Sequence, residues 1–160
     1  MRKITKESSE AFVNFDQYKK SNTEVAIKYG YSSSDEIARF YLHGNCIAEI
    51  NRSKLPECRG LKSIEIDLCG WHTPTTRERI NGILDALHYD FKIAQRNHEQ
   101  VLVRMKNENQ HCYVTDSDFS YSWEQELKLS NDSFDPEFAK KVFESSEFVS
   151  GTDLNAITDF

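Results

Sequence analysis

The chain has 160 residues, a formal net charge of -6, 38% apolar and 12% aromatic residues. Ten Phe, seven Tyr and two Trp supply enough large apolar area for one folded domain with a modest core, which argues against a disordered chain. The segment 116–160 holds eleven carboxylates against three lysines, so the remainder is slightly basic and a wholly basic nucleic-acid coat is excluded.

The first residues lack an apolar leader, and no apolar run approaches membrane-spanning length, so a cytoplasmic protein with reduced thiols at Cys46, Cys58, Cys69 and Cys112 is expected. In chain order, Lys6 to about Tyr18 reads as a helix capped by Thr5, with Ala11, Phe12, Phe15 and Tyr18 at helical spacing. Lys19 to Asn22 closes it. From Thr23 the period becomes two, with Thr23, Val25, Ile27 and Tyr29 alternating, which predicts a half-buried strand. Residues 30–35 read as a loop. Glu36–Leu42 and Cys46–Ile50 read as a hairpin, its turn at His43-Gly44-Asn45 using positive φ at Gly44 and Asn45. Asn51–Gly60 reads as an exposed loop, and Ser63–Leu68 as a strand with Ile64, Ile66 and Leu68 on one face.

Next comes the strongest local signal, from Cys69 to His88. Thr75 followed by Glu78 has the form of a capping box, while Thr73 with Pro74 offers a competing start. Ile80, Ile83, Leu84 and Leu87 form the buried stripe, and Arg77, Arg79 and Asp85 are read as mostly off it. Gly82 weakens a helix by about 1 kcal/mol relative to Ala, so it marks a close approach. Asp90–Gln95, Val101–Met105 and Cys112–Thr115 are predicted to form a three-stranded meander. Asp116–Ser133 is ambiguous: Phe119, Tyr121 and Trp123 alternate, whereas Glu124–Leu129 suits a helical turn. Asp135 caps a last helix with Pro136 first, expected to bury Phe138, Val142 and Phe143 and to run to about Ser146. The sum is an α+β fold, a mainly antiparallel sheet with a central amphipathic helix on one face and helices at both ends. Residues 1–115 form the core domain, and 116–160 an acidic, aromatic-rich extension packed on or beside it.

Tyr41-Leu-His-Gly-Asn-Cys-Ile-Ala48, followed by Gly70-Trp-His-Thr-Pro-Thr-Thr-Arg-Glu-Arg-Ile-Asn-Gly-Ile-Leu84, resembles a family of small tailed-bacteriophage proteins. That family's pattern is an LHGN-x-IA hairpin and then GW-x-T-x-TTRER-[LI]-N, and the likeness covers about residues 22–106. The resemblance implies a phage origin and a fold, and carries over no catalytic residue. The segment from Asp116 exceeds the usual small members and is expected to carry this chain's own function.

Cys46, Cys58, Cys69 and His72 could supply four zinc ligands, but no C-x2-C pair anchors them and small buried thiols explain them as well, so no metal or cofactor is expected. No nucleophile elbow, P-loop or dinucleotide fingerprint occurs, and five histidines make chance pairings common, so the expectation is no enzyme. Trp71, His72, Thr75, Thr76, Arg77 and Arg79 at a helix N-terminus could hold the phosphates of DNA or RNA. In the plainer reading Thr75 caps, Trp71 packs in the core and the arginines pair with Glu78 and Asp85. Aromatics set among acids, notably Phe119, Tyr121, Trp123, Glu124 and Glu126, suit a basic host-protein partner. The leading expectation is therefore a non-enzymatic phage accessory protein, acting in host takeover or against host defence by binding a host protein in the host cytoplasm. The alternative is a DNA- or RNA-binding regulator, and no membrane role is expected.

Overall fold

Small polar residues open the chain, and they let two helices meet. The computed structural model describes residues 1–29, 36–52, 63–105, 123–129 and 131–144. Helix α1 (Lys3–Val13) buries Thr5, Ser8, Ser9 and Phe12, spaced i, i+3, i+4, i+7. It starts before the position predicted. Arg2 occupies the N-cap without a side-chain cap bond, and Thr5 lies inside the helix on its buried face. It also stops five residues short of Tyr18. Phe15 takes φ 59°, Phe15 N–H bonds Phe12 O at 3.2 Å and Asp16 N–H bonds Ala11 O at 2.8 Å, a Schellman end without glycine. Tyr18 instead begins strand β1 (Tyr18–Lys20), where Lys19 and Lys20 were read as the close of a helix.

A six-stranded antiparallel sheet follows, in the order β1, β2 (Thr23–Lys28), β3 (Ile37–Leu42), β4 (Asn45–Asn51), β5 (Ser63–Asp67) and β9 (Ser133–Phe134). Leu42 faces Asn45, so the hairpin turn is His43-Gly44, with φ 51° and 80°. This corrects the turn assignment: Asn45 is already strand, and His43 takes the positive φ of a two-residue type I′ turn. The alternation then sorts the faces. Thr23, Val25, Ala38, Phe40, Ile50, Ile64 and Ile66 are buried on one. Glu24, Ala26, Arg39, Tyr41, Cys46, Glu49, Glu65 and Asp67 stand half-buried or exposed on the other.

Helix α2 (Pro74–Ala86) lies on the buried side with α1. Thr73 is its N-cap, the hydroxyl accepting from Thr76 N–H at 3.2 Å, with Pro74 first. Of the two starts weighed, the Thr75 capping box is therefore the one not formed. Ile80, Ile83 and Leu84 are fully buried, and Leu87 packs against the same core. The helix ends as α1 does, with His88 at φ 63°, His88 N–H on Asp85 O and Tyr89 N–H on Leu84 O.

A second antiparallel sheet joins β6 (Phe91–Arg96), β7 (Glu99–Met105) and β8 (Trp123–Lys128). The expected single sheet is thus two. The third strand is Trp123–Lys128, where a helical turn was the alternative; the expected Cys112–Thr115 strand lies outside the described residues. Helix α3 (Pro136–Glu144) is capped as predicted, Glu137 N–H bonding Asp135 Oδ1 at 2.9 Å. It buries Pro136, Ala139 and Phe143, the last against Phe91 with ring centroids 5.6 Å apart. Phe138, expected inside, is 66% exposed, because small Ala139 makes the close contact in its place. The segment from Trp123 to Glu144 therefore supplies a strand to each sheet and a helix to the core.

Gly82 is where α1 and α2 touch. A Cβ there would meet Thr5 Cγ2 at 2.5 Å and Ser9 Oγ at 2.6 Å. Gly82→Ala gains about 1 kcal/mol in helix propensity and loses about 1–3 kcal/mol to overpacking. The expected outcome in urea denaturation is net destabilisation; a rise in stability would contradict this contact.

Candidate functional site

The corner predicted to bind anions is divided by burial. Arg79 and Thr76 are each 2% exposed. Arg79 lies not on the surface but between three elements. Its Nε donates to Thr23 Oγ1 of β2 at 3.2 Å, and its Nη1 donates to Glu78 Oε1 at 3.0 Å and to Thr5 Oγ1 of α1. Thr5 in turn donates to Glu78, whose two carboxylate oxygens also accept from Arg2 Nε at 3.0 Å. Burial, then the nearby Arg2 charge, lowers the Arg79 pKa from its ordinary value. Burial works against the Glu78 carboxylate, but bonds from Thr5 and Arg2 and the charges of Arg2 and Arg79 prevail, and its pKa is lowered. Neither Arg79 nor Thr76 is available to a phosphate in solvent. Spacing did carry the signal, since Thr76 and Arg79 precede Ile80 and Ile83 by four residues each and share their face.

The rest of the corner is reachable. Cys69 and Gly70, at φ 55° and 77°, make a tight turn closed by Trp71 N–H on Leu68 O at 3.0 Å. Trp71, which the plainer reading put in the core, is 57% exposed. Asp132 holds this turn from the far end of the sequence, accepting from Gly70 N–H at 2.8 Å and lying 2.7 Å from His72 Nε2. Thr75 and Arg77 are half-buried. Cys46 and Cys69 are free thiols pushed up by burial, Cys69 Sγ donating to Cys46 O at 3.2 Å. Cys58 lies outside the described residues. Among the described residues no group of three His, Cys, Asp or Glu is placed to hold a metal.

Of the proposed partner patch, the side chain of Glu126 alone is described. Glu126 is 6% exposed and pairs with Arg96 at 3.4 Å, so it forms no exposed acidic rim. Phe119 and Tyr121 lie outside the described residues, and for Trp123 and Glu124 only the strand backbone is described.

Two grooves went unnoticed in the sequence. One, about 470 Å3, lies where β4, β5 and β9 run together. Glu49, Glu65, Asp67 and Asp135 line it with Ile66 and Phe134, and among the described residues no Lys, Arg or His does. The other, about 1090 Å3, runs between α2 and the outer edge of β6. Asn81 closes part of that edge: its Nδ2 donates to Ile93 O at 3.0 Å, and its Oδ1 accepts from Ile93 N–H at 2.7 Å. The side-chain amide thus stands in for a neighbouring strand.

Among the described residues these features define a small α+β protein of two antiparallel sheets, grooved beside its central helix. A family model described as Kyanoviridae Gp96 protein matches residues 1–154, and the chain belongs to that family of phage proteins. The match takes in nearly all of the segment after Asp116, so that segment is part of the family pattern rather than an addition peculiar to this chain. No curated protein and no solved structure shows a significant match. Among the described residues no helix is long and apolar enough to cross a membrane.

Arg79→Ala removes the donor shared by Glu78, Thr5 and Thr23, and a loss of about 3–5 kcal/mol is expected in chemical denaturation, as for a broken buried ion pair. Because the folded Glu78 pKa is depressed, its contribution is present above the unfolded value and lost as pH falls through the folded value. Glu78→Gln should therefore flatten the acid limb of a melting-temperature profile; an unchanged limb would remove Glu78 from the account.

Proposed function

We propose that this phage protein is a non-enzymatic accessory protein that binds a host protein in the host cytoplasm, and that it does so through its open sheet face. The observation carrying this reading is the β4–β5–β9 groove, lined among the described residues by four carboxylates and no cation. Cross-strand register sets Arg39 opposite Glu49 and Glu49 opposite Glu65. Arg39 bonds Glu49 at 2.8 Å, leaving Glu65 at the exposed end of that row. A sheet face with an acidic end, half-buried to exposed among the described residues, suits a basic surface, with charge steering the encounter. This moves the expected host-protein site from the aromatics of 119–126 to the sheet itself. The DNA or RNA alternative keeps Trp71, His72, Thr75 and Arg77 but loses Thr76 and Arg79 to the interior.

The test is capture of partners from host lysate by the full chain and by Glu65→Lys, which lies outside the caps and buried pairs. Salt-sensitive capture that drops at least about tenfold in the variant is expected, since like charge across an interface costs several kcal/mol. Equal capture by both chains, or none by the native chain, would overturn the reading.

A further inference from the structure

The larger groove holds an arginine that is oriented but not neutralised. Carboxylates along it are mostly matched: Glu78 by Arg2 and Arg79, and Asp90 by Arg104 at 3.0 Å. Arg77 is matched by none among the described residues. Its Nη1 instead donates toward three neutral oxygens: His72 O at 3.1 Å, Gln95 Oε1 at 3.0 Å and Gln100 Oε1 at 3.3 Å. Gln100 is 5% exposed, and its Nε2 bonds Gln95 Oε1 at 3.1 Å, so the acceptors are themselves fixed.

Neutral acceptors orient a guanidinium without cancelling its charge. The Nε and Nη2 groups of Arg77 have no partner among the described residues, and that edge makes the two parallel bonds to a carboxylate or phosphate. The groove is also polarised along its length. Asp85 and Asp90 line the end where α2 finishes; Arg77 and Gln95 line the end where it starts, beside Glu78, which Arg2 and Arg79 pair, and Arg96, which Glu126 pairs. Lys92 lies on the same strand as Arg96; desolvation, then the Arg96 charge, pushes its ammonium pKa down.

We infer that the Arg77 end of the groove between α2 and β6 is an oxyanion-binding site, gripping a phosphate or carboxylate group by the Nε–Nη2 edge of Arg77. The site is distinct from the acidic sheet groove and does not depend on the protein-binding reading. If Arg77 served only to tie His72 to the β6–β7 hairpin, its outer edge would have no ligand.

The experiment is a titration of the full chain with inorganic phosphate and, separately, acetate at low ionic strength, following the Arg77 Nε–H resonance in the native chain and the backbone amide resonances of Gln95 and Arg96 in the native chain and every variant. A saturable shift is expected, with affinity at least about tenfold weaker in Arg77→Lys, which keeps the charge but loses the fork. Lys141→Ala, exposed on α3, should bind as the native chain does. The tighter probe identifies the source of the anion as phosphate or carboxylate. No saturable shift with either probe, or equal affinity in Arg77→Lys, would overturn the site; the shift is read on the native chain, so the test survives a variant that folds poorly.

Discussion

A buried guanidinium is tolerable only where partners wait for it, and Arg79 makes that requirement the organising constraint of the fold. Its three side-chain partners come from helix α1, strand β2 and its own helix, and Thr5 lies 74 residues away in sequence. The small side chains of Thr5, Ser8 and Ser9 follow from this, as does the missing Cβ at position 82. Bulk at either surface would hold α1 off α2 and strand the charge in a space without water. The helix pair is therefore joined by polar groups at close range, whereas the sheet below it is joined by Ile, Phe and Leu.

Fixing α2 fixes the surfaces beside it. Its outer flank carries Arg77 and Asn81 at i and i+4, so the same helix closes the β6 edge at Ile93 and braces the β6–β7 hairpin through Gln95 and Gln100. Tyr89, just past the helix, donates to Glu137, which ties α2 to α3, and its phenol is pushed up by burial and by that carboxylate. Charge on this protein is thus sorted by role. Arg79 is spent inside, Arg2, Arg39 and Arg104 are paired at the surface, and Arg77 keeps its charge.

What the sequence made legible was local. The α2 stripe, the cap and proline of α3 and the strands from Thr23 to Leu68 each depend on residues a few positions apart. The end of α1 was missed because Phe15 takes a left-handed conformation that composition assigns to glycine. Burial of Arg79 was missed because its charge argued against a position that its spacing supported. The turn at Asn97-His98 sets Gln95 opposite Gln100, but nothing local says that Arg77, 18 and 23 residues before them, reaches both. The acidic groove was illegible for the same reason: Ser133 and Phe134 join β5 across a gap that no sequence period spans.

The strand order has a kinetic side. Strands β1 to β5 neighbour one another in the order in which they are synthesised, and β6 and β7 form a hairpin. Such pairings close short loops and form early, while the β5–β9 and β7–β8 pairings wait for distant residues. A nascent chain can thus lay down the meander as it leaves the ribosome. The acidic groove, which needs β9 for one wall, comes into being only when that late segment docks.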